Sequence, residues 1–479
     1  VQINTLKGET ELMNDQDMVE TVEGQKHKMI VFFVAFTAAL AGLLFGLDVG
    51  VIAGALPFIE KKYSISTFTS EGIVSSLLVG AVFGTIISGV MSRKFGRKNA
   101  ILVSAIIFAL GSLFSSISTS PGILIGVRFF LGIAVGIASF TAPLYLSEMA
   151  PPSIRGALIS MYQLMITIGI VLAFLSDTVL SYGGHWRMML GILMVPSMIM
   201  FLGVSFLLKS PRWLVLSDRK DEALQVLYRL RNTRKEVMDE IRDIEKSIEI
   251  KQSGFSLFMQ NKNFRKAIFL GITLQAIQQF TGINVVMYYA PKIFKIAGFT
   301  TTAEEMWGTV MVGIINVLAT FIAIGLVDKL GRKPILFTGF VVMGVSMATI
   351  GTMFKIGINT HHAIQFVAIG ALLMFIVGFA MSAGPIIWVI CSEIYPLNGR
   401  DLGITISTAT NWLCNAIIGA TFLTLLSDFG YGNTFFLYGG LNIIFIFILI
   451  YFVPETKGVS LETIEANLMS GKPINKIGI

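Results

Sequence analysis

Residues 30–59 read IVFFVAFTAALAGLLFGLDVGVIAGALPFI, an apolar run interrupted by one charge, Asp48. A helix rising about 1.5 Å per residue needs roughly 20 residues to cross about 30 Å of hydrocarbon, so this run is long enough to span a bilayer. A mid-membrane Asp costs about 2.5–3.5 kcal/mol on insertion scales, so a chain that keeps one normally gives it a partner or a proton to carry. The partner on offer is Arg128, in the apolar run 122–142. An acid and a base in separate spans have the parts of a proton switch.

Composition extends this reading to the whole chain. Of its 479 residues 54% are hydrophobic and 14% charged, with a mean hydropathy of +0.76, outside the range of soluble domains. Further runs begin near residues 72, 98, 121, 156 and 187, and then near 266, 305, 333, 363, 402 and 431. They are continuously apolar, where a barrel would alternate inside and outside residues. The expected fold is therefore an all-α polytopic membrane protein with about twelve transmembrane helices. Cys391 and Cys414 fall within spans and imply no disulfide framework, and the scattered His27, His185, His361 and His362 suggest no metal site. No cofactor is expected. The net charge of +7 is accounted for by basic loops and argues for no nucleic-acid partner.

Those basic residues orient the chain, because Lys and Arg collect in cytoplasmic loops. Arg93, Lys94, Arg97 and Lys98, then Arg155, then Lys329, Arg332 and Lys333, then Arg400 all fall in loops of one side. Both termini are expected on that same, cytoplasmic side. The leader, residues 1–28, lacks the apolar core of a secretory signal.

The long polar stretch 209–265 divides a first six-span bundle, 29–208, from a second, 266–454, with a tail at 455–479. Within the linker, Ser217 with Asp218, Asp221 and Glu222 reads as a helix start, and Leu224, Val226, Leu227 and Leu230 form a narrow apolar face. A second charged helix is expected over 234–251. The halves repeat. Lys94-Phe95-Gly96-Arg97-Lys98 returns as Lys329-Leu330-Gly331-Arg332-Lys333, and Ser147-Glu148 with Arg155 returns as Ser392-Glu393 with Arg400, at offsets of 235 and 245 residues. Duplicated six-span halves are a transporter architecture in which substrate is held near the midplane and the halves rock around it. The charged loops, with Arg97, Glu148, Arg155, Asp328, Arg332, Glu393 and Arg400, are expected to form a cytoplasmic ion-pair latch that opens with the inner side.

These motifs, with Ser210-Pro211-Arg212 after span 6 and Pro454-Glu455-Thr456-Lys457-Gly458 after span 12, resemble the sugar porter family of the major facilitator superfamily. The segments Phe45 to Gly54 and Met161 to Gly169 look most like bacterial galactose, arabinose or glucose proton symporters. The chain departs from the family pattern at Arg93, where Asp is usual, and at Leu208-Lys209, where Pro-Glu is usual. The resemblance implies two pseudo-symmetric six-helix halves, a monosaccharide and a proton as substrates, and a monomer in the lipid bilayer of a bacterial inner membrane.

A hexose presents several hydroxyls and one apolar ring face, which call for side-chain amides and an aromatic surface. Span 7 supplies Gln278, Gln279 and Asn284, span 5 Gln163, and span 11 Asn411 beside Trp412; span 10 combines Gly384-Pro385 with Trp388. Amides facing lipid would be costly, so they are expected to face the interior. By the resemblance, Gln163, Gln278, Gln279, Asn284, Trp388 and Asn411 match sugar-contacting positions, while Phe45, Tyr288, Tyr289, Gly384 and Trp412 match the gate and wall. Ile170 makes one wall apolar where xylose-preferring relatives carry an amide, which favours a hexose. Burial opposes ionisation of a carboxylate and a neighbouring guanidinium favours it, so a change in the Asp48 to Arg128 distance would change proton affinity. The expected function is proton-coupled sugar import by alternating access. A proton-independent facilitator, or a sugar receptor that does not transport, is the alternative; an enzyme is not indicated, since no nucleophile, base and orienting group form a motif.

Overall fold

The computed structural model describes residues 2–151, 154–231, 233–249, 254–358 and 361–479, with side chains from Met29 onward except at 155–157, 159–160, 247–249, 324 and 326–328. Eleven helices among the described residues are long and apolar enough to cross a membrane. We number the spans as span 1 (Met29–Tyr63), span 2 (Thr67–Phe95), span 3 (Arg97–Ser116), span 4 (Pro121–Met149), span 5 (Arg155–Ser181) and span 6 (Trp186–Phe206) in the first half. Span 8 (Thr302–Leu330), span 9 (Arg332–Ile356), span 10 (His362–Glu393), span 11 (Arg400–Gly419) and span 12 (Tyr431–Phe452) follow in the second.

The twelfth place belongs to span 7, which is two helices, Lys262–Phe280 and Ile283–Ile296. In sequence the stretch from residue 266 reads as one apolar run. Gly282 breaks it by adopting φ +96°, a left-handed conformation open to a residue without Cβ. Seven residues later Tyr289 departs from helical geometry at φ −119°, ψ 19°, just before Pro291. Span 10 is interrupted as well, at Ser382 with φ −128° and ψ −88°. Irregular backbone at membrane depth survives where protein groups satisfy it, which marks these two breaks as places to look for a site.

The two halves share one packing plan. Span 1 lies against span 5, span 2 against span 4 and span 3 against span 6; in the second half span 7 lies against span 11, span 8 against span 10 and span 9 against span 12. Close approach requires small residues. A Cβ on Gly46 would collide with the backbone at Ile166, so span 1 can lie on span 5 only because that position is glycine. The halves meet where span 2 touches span 11, span 5 touches span 8, and span 1 touches the second helix of span 7.

The linker forms helices Pro211–Leu216, Lys220–Leu230, Arg234–Glu249 and Gly254–Gln260. Trp213, Leu214, Ala223, Leu227, Val237 and Ile241 make a small core of their own. Buried Arg231 joins this cap to the bundle, donating to the carbonyls of Met149 and Ala150 at the end of span 4 while pairing with Glu240. Terminal helix carbonyls lack partners of their own, and a cation there answers both their hydrogen bonding and the helix dipole.

Candidate functional site

Asp48 and Arg128 face each other across spans 1 and 4, with 1% and 2% of their surfaces exposed. Nη1 of Arg128 stands 3.6 Å from Oδ1 of Asp48, within electrostatic reach but too far for a good hydrogen bond. The guanidinium is held elsewhere: its Nε donates to the Ile73 carbonyl of span 2 at 2.8 Å. The other carboxyl oxygen of Asp48, Oδ2, is buried without a hydrogen-bond partner. A carboxyl with one oxygen against a cation and the other vacant can accept a proton without displacing a hydrogen bond.

Across the interface, the second half supplies a chain of amides. Nδ2 of Asn411 donates to Oε1 of Gln278 at 2.6 Å and to Oε1 of Gln275 at 2.7 Å. Nε2 of Gln278 donates to the carbonyls of Ala383 and Gly384 at 2.8 and 3.0 Å, the groups next to the break in span 10. Gln275 closes the chain on Cys391 Sγ at 3.6 Å. A second pair, Asn284 to Gln279 at 2.6 Å, bridges the break in span 7. The structure thus joins Gln278 with Asn411 and, separately, Gln279 with Asn284, and it occupies both amide hydrogens of Gln278 with backbone.

Gln163 is half-buried on span 5, while Trp388 on span 10 is 37% exposed. Phe45 and Trp412 come from opposite halves and meet edge to face, ring centres 5.2 Å apart. Tyr288 and Tyr289 are both buried. The first accepts a bond from Asn415 at 3.1 Å; the second donates to the Gly419 carbonyl at 2.8 Å and packs on Phe422. Gly384 lies beside Phe379, and Ile170 is buried with its backbone against Gly46 and Gly50. Three polar residues of this region escaped the sequence reading: Gln275, Asn415 and Asn442, whose amide donates to the Thr281 carbonyl at the span 7 break. Gln275 had a readable signal, since it precedes Gln278 by three positions and so shares its helix face.

The charged loop motifs form one junction in each half. Arg97 donates to Oε1 of Glu148 from Nε at 3.2 Å and from Nη2 at 2.8 Å, and Ser210 donates to the other oxygen of Glu148. Arg332 donates to Glu393 at 3.1 Å, and Thr456 to the other oxygen of Glu393 at 2.5 Å. Both pairs lie within a half; neither crosses between halves. Arg400 donates to the Tyr395 carbonyl at 3.4 Å, again inside its own half. The side chains of Arg155 and Asp328 lie outside the described residues.

The junctions differ in one respect, and the departures noted in the sequence explain it. Glu455 accepts from the backbone N–H groups of Arg332 and Lys333 at 3.0 and 2.9 Å, and from those of Thr456 and Lys457. Burial opposes ionisation of this carboxyl, yet the four N–H donors hold it below the ordinary glutamate range. It caps the start of span 9. The first-half counterpart is Lys209, which cannot accept, and the space beside Gly96 is filled by the Trp213 ring.

A family model described as "Sugar (and other) transporter" matches residues 34–468. Over 456 residues the chain is 58% identical to the galactose-proton symporter of Escherichia coli K12, an alignment covering 95% of this chain and 98% of that one. It is 52% identical over 450 residues to the arabinose-proton symporter of the same strain, covering 93% and 95%. Among solved structures it is similar to the partially occluded inward open conformation of the xylose transporter XylE from E. coli, with a TM-score of 0.79, 28% identity and coverage of 90% and 100%. It is equally similar to the proton:xylose symporter XylE bound to 6-bromo-6-deoxy-D-glucose, with a TM-score of 0.79, 30% identity and coverage of 92% and 99%.

Proposed function

The chain belongs to the sugar transporter family, the sugar porters of the major facilitator superfamily, which are membrane transporters and not enzymes, and on that premise we propose that it is a proton-coupled symporter importing a hexose such as glucose or galactose. The observation that carries this reading is the buried Asp48–Arg128 pair, with Oδ2 of Asp48 vacant, across the interface from the amide cluster. A proton arriving at Oδ2 neutralises the acid and cancels its attraction for Arg128, which keeps its bond to the Ile73 carbonyl. In the outward-facing, sugar-accepting state the acid is protonated and released from the guanidinium. Loss of the proton to the inside restores the pair and favours return of the empty carrier, so sugar and proton cross in one direction.

The sugar is assigned to Gln163, Gln278, Gln279, Asn284, Trp388 and Asn411, with Phe45, Tyr288, Tyr289, Gly384, Trp412 and Ile170 around it. Amides that donate and accept suit several hydroxyls in one small ligand, and the exposed face of Trp388 suits the ring. The similarity to a galactose-proton symporter and the apolar Ile170 support a hexose. Arg97, Glu148, Arg155, Asp328, Arg332, Glu393 and Arg400 brace the cytoplasmic ends, in a bacterial inner membrane, with both termini cytoplasmic and the monomer as the working unit. The test is uptake by purified carrier in sealed lipid vesicles: an imposed pH gradient alone should drive accumulation of hexose, and hexose added in weak buffer should alkalinise the medium on its own side. Equilibration without accumulation would leave a facilitator; no flux of any labelled sugar would leave a receptor.

A further inference from the structure

At the ends of the spans opposite the Gly-Arg-Lys loops, the two halves are joined by polar links that the transport reading leaves unused. Lys292, on the second helix of span 7, donates to both carboxyl oxygens of Glu60 on span 1, at 3.2 and 3.4 Å. Glu71, at the start of span 2 and 2% exposed, accepts from both the N–H and the hydroxyl of Thr424, beyond span 11, each at 2.8 Å. Trp307 of span 8 donates to Tyr182, the residue that ends span 5, at 3.2 Å. Each link joins the first half to the second.

Beneath the Glu60–Lys292 pair lies a small void bounded by Ala53, Leu56 and Pro57 of span 1 and by Tyr288, Tyr289 and Pro291 of span 7. Its floor leads toward the site: Tyr288 holds Asn415 and lies within electrostatic reach of Asp48 and Arg128. The helix that carries Lys292 is set off by the left-handed Gly282 and bends again at Tyr289, so a change of dihedrals at either break moves Lys292 relative to span 1. The Glu60–Lys292 pair keeps 26% and 35% of its side-chain surface in contact with solvent, and an ion pair so exposed is weak enough to open and re-form. Glu71 differs, because separating the halves exchanges two half-buried hydrogen bonds for water.

We propose that Glu60 and Glu71 are positioning residues of the outer gate, closing the path from the outside to Asp48 by gripping Lys292 and Thr424 of the opposite half. This rests on the alternating-access reading above. It adds that the outward-open state is set by two carboxylates of the first half, each separable from the sugar and proton sites.

The test places a cysteine in the void, Ala53→Cys or, as a second reporter, Leu56→Cys. Its alkylation by a membrane-impermeant maleimide added outside intact cells is measured relative to the chain without the added cysteine. With Glu60→Gln the gate opens more often, and alkylation should quicken about fivefold. Glu60→Lys combined with Lys292→Glu should return the rate to within about twofold of the parent, a recovery that general loosening of the fold would not give. Glu71→Leu should quicken alkylation more than Glu71→Gln, whose amide oxygen still accepts from Thr424. An unchanged rate in Glu60→Gln, or a swapped pair no slower than the single variant, overturns the proposal. The assay uses neither sugar nor a pH gradient, so its failure is distinct from failure of the symport reading.

Discussion

Replacing Arg128 by Leu and Asp48 by Asn, singly and together, separates a static ion pair from a working proton site. At 3.6 Å and an effective dielectric of about 20, Coulomb's law gives a gross attraction of roughly 4–5 kcal/mol. Desolvation of two groups that are 98–99% buried offsets most of it, so the pair contributes little net stability. Removing one partner is another matter: Arg128→Leu strands a buried carboxyl and frees the Ile73 carbonyl, and should destabilise the purified carrier by about 3–5 kcal/mol. The double variant removes both charges, and about 1–3 kcal/mol of that loss should return as a coupling energy. Thermal unfolding in detergent reads the stability, and counterflow of labelled hexose in vesicles reads the function. The double variant should exchange sugar yet fail to concentrate it on a pH gradient. Uphill uptake by the double variant would refute the assignment of the proton to Asp48, however stable that protein proved.

Three further outcomes follow from the junctions and the amide chain. Gln278→Leu removes the donors of the Ala383 and Gly384 carbonyls and one acceptor of Asn411, so it should cost about 1–3 kcal/mol and raise the KM for sugar in uptake assays, whereas Gln278→Glu, unable to donate while ionised, should not rescue it. Lys209→Glu breaks the exposed pair of Lys209 with Glu222 at 3.8 Å, while the Trp213 ring beside Gly96 keeps the new carboxylate from the start of span 3, so the unfolding midpoint should fall by an amount equivalent to about 1 kcal/mol or less and should not rise. Glu455 is held below the ordinary glutamate range, so its contribution is present above the unfolded-state pKa near 4.3 and is lost as pH falls through the lower folded value; unfolding midpoints measured between about pH 6 and 3 should drop less steeply in Glu455→Gln than in the parent.

Much of this was readable from the residues because the bilayer is a severe solvent. Runs of apolar residues long enough to cross it, the Lys and Arg of the loops after spans 2, 4, 8 and 10, and the repeated Gly-Arg-Lys and Ser-Glu motifs mark the spans and halves through length and charge alone. The breaks were harder. Gly282 and Ser382 are single residues inside apolar helices, and only neighbours distant in sequence decide whether the backbone they free is satisfied: Asn442 of span 12 for the Thr281 carbonyl, Gln278 for those of Ala383 and Gly384. The amides were legible as interior groups, since lipid excludes them, but their pairing was not. A Gln has a donor and an acceptor end, and which end meets another side chain depends on helix rotations that spacing does not specify. The charged loop motifs could likewise be matched by type and not by geometry. Arg97 with Glu148 and Arg332 with Glu393 are joined in space, yet each pair ties spans of one half together.

The repeated halves provide their own control on which of these features the fold requires. Lys98 donates to the Ser205 carbonyl at 2.8 Å and Lys333 to the Ile450 carbonyl at 2.8 Å; Ser210 meets Glu148 as Thr456 meets Glu393. Where both halves keep the same contact, packing of a six-helix unit is a sufficient reason for it. Asp48 and Arg128 have no such excuse. Aligning Leu47-Asp48-Val49 with Ile283-Asn284-Val285, and applying the 245-residue offset to Arg128, puts Asn284, which pairs with Gln279, and half-buried Leu373 in their places. The second bundle folds with neither charge, so the first could too. Burying an acid and a base that the other half folds without costs desolvation energy, against which the structure sets one hydrogen bond, from Arg128 to the Ile73 carbonyl. A residue pair kept at that cost on one side of a duplicated fold is the ground for our proposal that Asp48 takes up the transported proton, because a buried carboxyl with one vacant oxygen can accept one.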